Sequence, residues 1–465
     1  MESIRYYLYF VLGKIRHQYF MQIPENDQEY KRSRMWFIVD GASAVTIGVL
    51  VGGAFLAAIL RTLGISDSFN GIISAIPSLA SIIQLIGIEF AKRMHKIKLF
   101  VCILAIIHRL MFAFLYAIPF LKMSITWKVI LCILTFLTAH TLGQMIAPAA
   151  GNWISSLVSE DVRGKYFANR DCIMVLVSIT VALGTGQVFD RLKAWSNPDM
   201  KFLFVSLQIL VLAIINFIAL SNIKEPRFSY VSSDNKEMHG KLVEKRGYKE
   251  SNEHCEKFWV TFKQVISNKS FRSSIILTVL WQSAFFFSTP YFGIYQISYL
   301  KLSYTYIMIM GFAGSLIRII LTPIGGKVAD KKSWALVLKT ALSVMAFAFI
   351  INGFTVPTNS RMMFTIYSIL TGAAWAGVAP GLFAIQLDLA PDGDKTAYLG
   401  VNAAIMGVCG FLSALAGGYI LHLILDRGNQ IWGYRVYGQQ ILSWGSGVLI
   451  LVLVAYIKWR FKKFL

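Results

Sequence analysis

Asp40, Arg109, His140 and Arg318 each stand inside a long apolar run. A charged or titratable side chain is costly in such surroundings and needs water, an opposite charge or a ligand. Asp40, within Asp40-Gly41-Ala42-Ser43-Ala44, offers a carboxylate that would exchange a proton as its hydration changes, because burial favours the neutral form. It would equally hold sodium with Ser43 and backbone oxygens, or cap a helix end through an ion pair. His140 and Gln144 are four residues apart and share one helix face, as a proton relay or as a hydrogen-bonded structural pair. Arg109, beside His108, is read either as a structural ion pair or as a ligand contact. Arg318 belongs to the stripe Gly311, Ser315, Arg318, Thr322 and Gly325/Gly326. It lies roughly 21 Å along the axis from the start of its run, too deep for easy snorkelling. Its guanidinium suits an anionic or zwitterionic solute or a coupling role, with a structural acid partner as the alternative.

Trp281, Phe285, Ser288, Phe292 and Tyr295 form a second stripe, with Gln282 alongside and Pro290 between. Such aromatic surface either lines a cavity for a ring-containing solute or faces lipid. Pro290 removes an interior donor and would open or bend its helix. Trp375 adjoins the small face of Thr365, Ser368, Gly372 and Ala376, which would admit a ligand or a neighbouring helix. Glu160, Arg163, Lys165, Arg170 and Asp171 gather before one run, and Asp392, Asp394, Lys395 and Tyr398 before another; both groups read as gates. No phosphate-binding loop, metal-ligand cluster or nucleophile triad occurs, so neither an enzyme nor a cofactor is expected.

The elements that must position these groups follow from composition. The 465 residues are 56% hydrophobic and only 15% charged, against about 25% charged for a soluble domain. Apolar runs of about 20 residues recur from end to end, each long enough to cross a bilayer as a helix. They are expected at 35–60, 69–88, 99–120, 128–148, 172–190, 202–223, 271–297, 304–326, 334–354, 362–385, 397–422 and 440–458. The fold class is therefore an all-α polytopic membrane protein, with twelve transmembrane helices in two six-helix bundles.

The net charge of +21 does not signal nucleic acid, because the basic residues fall in short connections between runs. One alternating set of connections carries 31 Lys and Arg and the other 10. That bias places both termini in the cytoplasm, in a cell membrane expected to be a bacterial plasma membrane. Residues 1–34 read as a cytoplasmic or interfacial helix and not as a cleaved signal, 35–223 as the first bundle, and 224–270 as a cytoplasmic loop with an amphipathic segment. Residues 271–459 form the second bundle and 460–465 a basic tail.

The two halves are related in sequence. Leu157-Val158-Ser159-Glu160-Asp161-Val162-Arg163-Gly164-Lys165-Tyr166 follows the fourth run, and Leu389-Ala390-Pro391-Asp392-Gly393-Asp394-Lys395-Thr396-Ala397-Tyr398 follows the tenth. Leucine, an acid, a base and tyrosine coincide at a constant offset. Between runs eight and nine, Gly326-Lys327-Val328-Ala329-Asp330-Lys331-Lys332 resembles the loop motif of the major facilitator superfamily. The corresponding Gly87-Ile88-Glu89-Phe90-Ala91-Lys92-Arg93 lacks the acid. The resemblance, which covers about 34–459, implies two bundles related by an axis along the membrane normal. It also implies that Asp330 and Lys331 help lock the cytoplasmic side. The run-four arginine of antiporters and the run-five glycine-proline pattern of drug/proton antiporters are missing.

The function these readings imply is secondary active transport of a small organic solute by alternating access, coupled to protons. An exporter of drugs, amphiphiles or lipid-like substrates, a sodium symporter, and a transport-dead sensor of the same fold are the alternatives. The partners expected are the solute, a proton or sodium ion and membrane lipids, with the chain as a monomer.

Overall fold

A computed structural model describes residues 28–93, 97–155, 157–158, 160–192, 199–224, 230–231, 237–238, 262–391, 395–431 and 434–461. The expected N-terminal interfacial helix and most of the central loop lie outside these residues. Among the described residues, twelve helices are long and apolar enough to cross a membrane. In chain order, spans 1–6 are Lys31–Leu50, Asp67–Gly87, Ile97–Phe120, Ile125–Gly151, Asn169–Leu192 and Met200–Asn222. Spans 7–12 are Lys269–Tyr299, Tyr304–Lys331, Trp334–Asn352, Ser360–Leu389, Tyr398–Asp426 and Gly438–Arg460. Outside the helices, the described residues hold only two-residue strand pairs at Tyr230–Val231 with Glu237–Met238 and Gln430–Ile431 with Tyr434–Arg435.

The packing repeats between halves. Span 1 packs on spans 5 and 6, span 3 on spans 4 and 6, and span 2 on span 4; spans 7–12 pair in the same order, six places on. The repeated tyrosines do matching work. Tyr166 stacks on Phe37 and donates to the carbonyl of Arg34 at 2.8 Å. Tyr398 packs edge-on to Phe271 and accepts from Asn268 at 3.4 Å. Each tyrosine thus ties the start of one span to the first span of its own half. The amphipathic pattern before span 7 is helical over 262–267, where Val265 is buried against Phe271, Tyr398 and Val401.

Three spans expected to be continuous are broken. Span 2 runs as Asp67–Ser74, Ile76–Ala80 and Ile83–Arg93. Span 1 stops at Leu50 and resumes as Gly53–Thr62, with Gly53 at φ +52°, a left-handed conformation that glycine adopts without penalty. Span 7 is helical over Lys269–Phe286, passes through a tight turn at Thr289–Tyr291 around Pro290, and ends in a wide helical turn at Tyr295–Tyr299. The loss of the proline N–H explains that break. The distal pieces of spans 1 and 7 meet: a Cβ placed on Gly293 would lie 2.6 Å from the carbonyl oxygen of Gly53. Only a residue without a side chain lets the two backbones come that close.

That meeting belongs to a seal on the face opposite Gln28 and Phe461, where the described residues begin and end. Arg61 donates to Ser298 at 2.6 Å, and Tyr299 donates to Asp67 at 2.7 Å. The Asp190 carboxylate at the end of span 5 accepts from the backbone N–H groups of Tyr304 and Thr305, each at 2.9 Å. Those are unsatisfied donors of the first turn of span 8, where a carboxylate is also favoured by the helix dipole. Phe55, Phe189 and Tyr304 pack together beneath them. Toward mid-membrane, spans 2 and 11 join through the Ser78 hydroxyl donating to the Gly407 carbonyl at 3.0 Å.

Candidate functional site

The polar centre of the first half forms where spans 1, 3, 5 and 6 converge. Asp40 is buried, and the side-chain amide of Asn216 donates both to its Oδ1 at 2.7 Å and to its backbone carbonyl at 3.0 Å. Arg109, 6% exposed, approaches Asp40 at 3.9 Å and donates to the carbonyl of Ala105 at 3.0 Å. Arg170 of span 5 also lies within electrostatic range of Asp40. Its guanidinium covers the Phe37 ring at 3.8 Å and sits 3.6 Å from the more exposed carboxylate of Asp171. One buried carboxylate is thus shared by two guanidiniums.

Directly beside this cluster is a cavity of about 350 Å³ between spans 1, 2, 3 and 4. His108 and Arg109 contribute from span 3, and His140, Gly143 and Gln144 from span 4. Span 1 supplies Ala44, Gly48 and the broken stretch Val51-Gly52-Gly53, while Phe112 and Phe136 form aromatic walls. His140 packs edge-on to both phenylalanines, with ring centres 5.1 and 4.4 Å away. Gln144 accepts from the Gln84 amide at 2.5 Å, which fixes span 4 to span 2. Arg109 Nε, His108 Nδ1 and His140 Nε2 are buried nitrogens with no hydrogen-bond partner.

The structure therefore brings four of the sequence candidates together: Asp40, Arg109, His140 and Gln144. Of the two readings of Arg109, the pairing with an acid is present, and the same side chain lines the cavity. Asp40 lies twelve residues into a helix that begins at Gln28, deeper than its expected place near a helix end. His108 and Asn216 complete the group. A lone amide in the apolar span Met200–Asn222 was the available signal for Asn216, but no spacing rule links it to Asp40.

The second-half candidates separate from this cavity. Trp281, Phe285 and Trp375 pack on one another with ring centres 5.3 to 5.5 Å apart inside a core that includes Leu338, Phe349 and Leu382. Gln282 reaches across to the first half, its amide donating to Ser78 at 3.3 Å. Tyr295 is buried near the sealed face and donates to the carbonyl of Thr355 at 2.6 Å. Ser315 and Thr322 return their hydroxyls to the backbone carbonyls of Gly311 and Arg318. Arg318 is exposed, at a level where its charge reaches Asp171 of span 5, so those two residues face each other across the seam between halves.

Among the expected gate residues, Asp330 and Lys331 are exposed at the end of span 8. Arg170 and Asp171 lie at the start of span 5, Asn169–Leu192, within a helix that begins earlier, at Glu160. Asp392 and the side chains of Glu160, Arg163 and Lys395 lie outside the described residues. Among the described residues, no cluster of three or more His, Cys, Asp or Glu side chains has the arrangement to hold a metal ion.

Twelve spans in two halves with the same packing order, around a charged and partly hollow centre, define a polytopic membrane protein of the transporter type. The sequence profile of the Major Facilitator Superfamily matches residues 38–418, and the chain belongs to that family. No curated protein sequence matches it. Among solved structures, a D-xylose-proton symporter superposes with TM-score 0.65 at 11% identity, covering 93% of this chain and 97% of that one. A bacterial homologue of the human lysosomal transporter Spinster, inward-facing and unoccupied, gives 0.63 at 13% identity, with 95% and 98% covered. The xylose transporter XylE from E. coli, inward-open, gives 0.61 at 12% identity, with 93% and 95% covered. At these identities the likeness is one of fold.

Proposed function

We propose that the protein is a proton-coupled secondary active transporter that moves a small organic solute across a cell membrane by alternating access. The observation that carries this reading is the buried Asp40 carboxylate between Arg109 and Arg170, beside a cavity, in a chain of the transporter family. A proton taken up by Asp40 removes its attraction for both guanidiniums and leaves Asn216 as its neutral partner. Arg109 is then released toward the cavity; loss of the proton draws it back. The groups that face Asp40 are Arg109 from span 3, Arg170 from span 5 and Asn216 from span 6. Seals and cavity belong to two units, 35–223 and 271–459, which rock about the seam where Asp171 meets Arg318. The 31 to 10 distribution of basic residues puts both termini in the cytoplasm, so the sealed face is the outer one. The working unit is the single chain.

Proteoliposomes challenged with a defined mixture of sugars, nucleosides, peptides, amino acids and carboxylates, and read by mass spectrometry, test this. Uptake of at least one solute should follow an imposed pH gradient and be lost in Asp40→Asn, while exchange of that solute without a gradient persists. Uptake that ignores the pH gradient but requires sodium rejects the proton coupling. No uptake of any class rejects transport in favour of a sensor.

A further inference from the structure

The polar atoms of the first-half cavity are incompletely satisfied in a way that specifies a ligand. Arg109 Nε, His108 Nδ1 and His140 Nε2 are all buried without a partner, and all three side chains line the same space. Of these, Arg109 Nε–H is a charged donor, and leaving a buried donor unpaired costs about 1–3 kcal/mol, and more for a charged group. The contact between Arg109 and Asp40, at 3.9 Å, is too long to be a direct hydrogen bond.

We propose that this cavity binds a monocarboxylate with an apolar body, its carboxylate on Arg109. A planar carboxylate matches the guanidinium fork of Arg109. The remaining walls, Ile47, Val51, Leu56, Phe112 and Phe136, offer apolar and aromatic surface to the rest of the solute. A volume near 350 Å³ lies at the small end of ligand pockets, which run about 300–1,000 Å³. A dianionic phosphate ester fits worse, since it would bring a second negative charge near the Asp40 carboxylate. The assignment names the solute class of the transport reading above, but binding is measured apart from transport.

The test is thermal unfolding of the purified full-length protein with hexanoate or phenylacetate, against hexanamide and phenylacetamide as neutral matches. Both carboxylates should raise the melting temperature, and neither amide should. Arg109→Lys should weaken the apparent affinity at least tenfold, because an ammonium lacks the planar fork. Gly48→Leu tests the site without touching the ion pair: a Cβ at Gly48 meets nothing within 4 Å, so the new side chain fills the cavity. That variant should keep the ligand-free melting temperature and lose the carboxylate shift. Equal shifts from the amides, no shift from the carboxylates, or a shift that survives Gly48→Leu would overturn the proposal. Carboxylate binding without exchange in proteoliposomes would leave the site standing and refute transport of that class. Exchange of other solutes without carboxylate binding would do the reverse.

Discussion

The two halves repeat the same packing order, yet their interiors are built from different chemistry. Three residues after Phe37 comes Asp40, and three residues after the equivalent Phe271 comes Ser274, also buried. Around Asp40 the first half gathers two arginines, an asparagine and two histidines beside a cavity. The second half fills its middle with Trp281, Phe285, Phe349, Tyr367 and Trp375. Its buried polar contacts are neutral and closed on themselves. Thr278 donates to Asn402, and Asn402 to Gln386, at 2.9 and 2.8 Å; Asn352 donates to Ser443 at 2.7 Å. A shared backbone plan therefore carries a charged centre in one half and a neutral, aromatic one in the other.

Substitutions matched between the halves test that division. The largest effect is expected for Arg109→Leu, which leaves the buried Asp40 carboxylate short of its nearest cation. Breaking a buried pair in this way costs about 4 kcal/mol. Reversible unfolding in detergent should show the loss, and adding Asp40→Asn should restore most of it. A variant that lost nothing would mean that the ion pair is dispensable and the halves are energetically alike. Next comes Phe349→Ala, a fully buried ring in the aromatic core, at about 3 kcal/mol from lost burial and the cavity left behind. Here no second polar substitution should rescue, and in proteoliposomes the gradient dependence of uptake should stay as in the unaltered protein. Smaller still is the contrast between Asn216→Ala and Asn402→Ala. The first removes a hydrogen bond to a carboxylate and should cost about 2 kcal/mol; the second breaks a neutral chain at about 1 kcal/mol. Equal losses would show that Asp40 carries no charge in the resting protein.

Much of this architecture was legible before any coordinates. Apolar runs long enough to span a bilayer reveal themselves by length alone, and the Tyr166 and Tyr398 segments announced the repeat. Pro290 correctly marked the break in span 7, because a missing N–H is a property of one residue. The break at Val51-Gly52 was not legible: glycines in an apolar helix serve equally for close packing, and only the neighbouring Gly293 decides between the two uses. Arg109 illustrates a second limit. Its depth in an apolar run demanded a partner, but sequence spacing relates residues on one helix, whereas Asp40, Arg109, Arg170 and Asn216 come from four. Arg318 met the same depth criterion and faces the seam instead.

The interruptions in spans 1 and 7 have a mechanical consequence. Beyond each interruption lies only a short piece, Gly53–Thr62 in one half and the segment from Phe292 to Tyr299 in the other. The first of these is a lever about 15 Å long, joined to its stem by two residues. Swinging it outward would turn torsions at Val51 and Gly52 and draw Ala54–Leu60 out of the core in which they are buried, while the stem that bears Asp40 packs on spans 5 and 6. Because Gly53 and Gly293 approach backbone to backbone, the two short pieces brace each other, and any side chain at Gly293 would prise them apart.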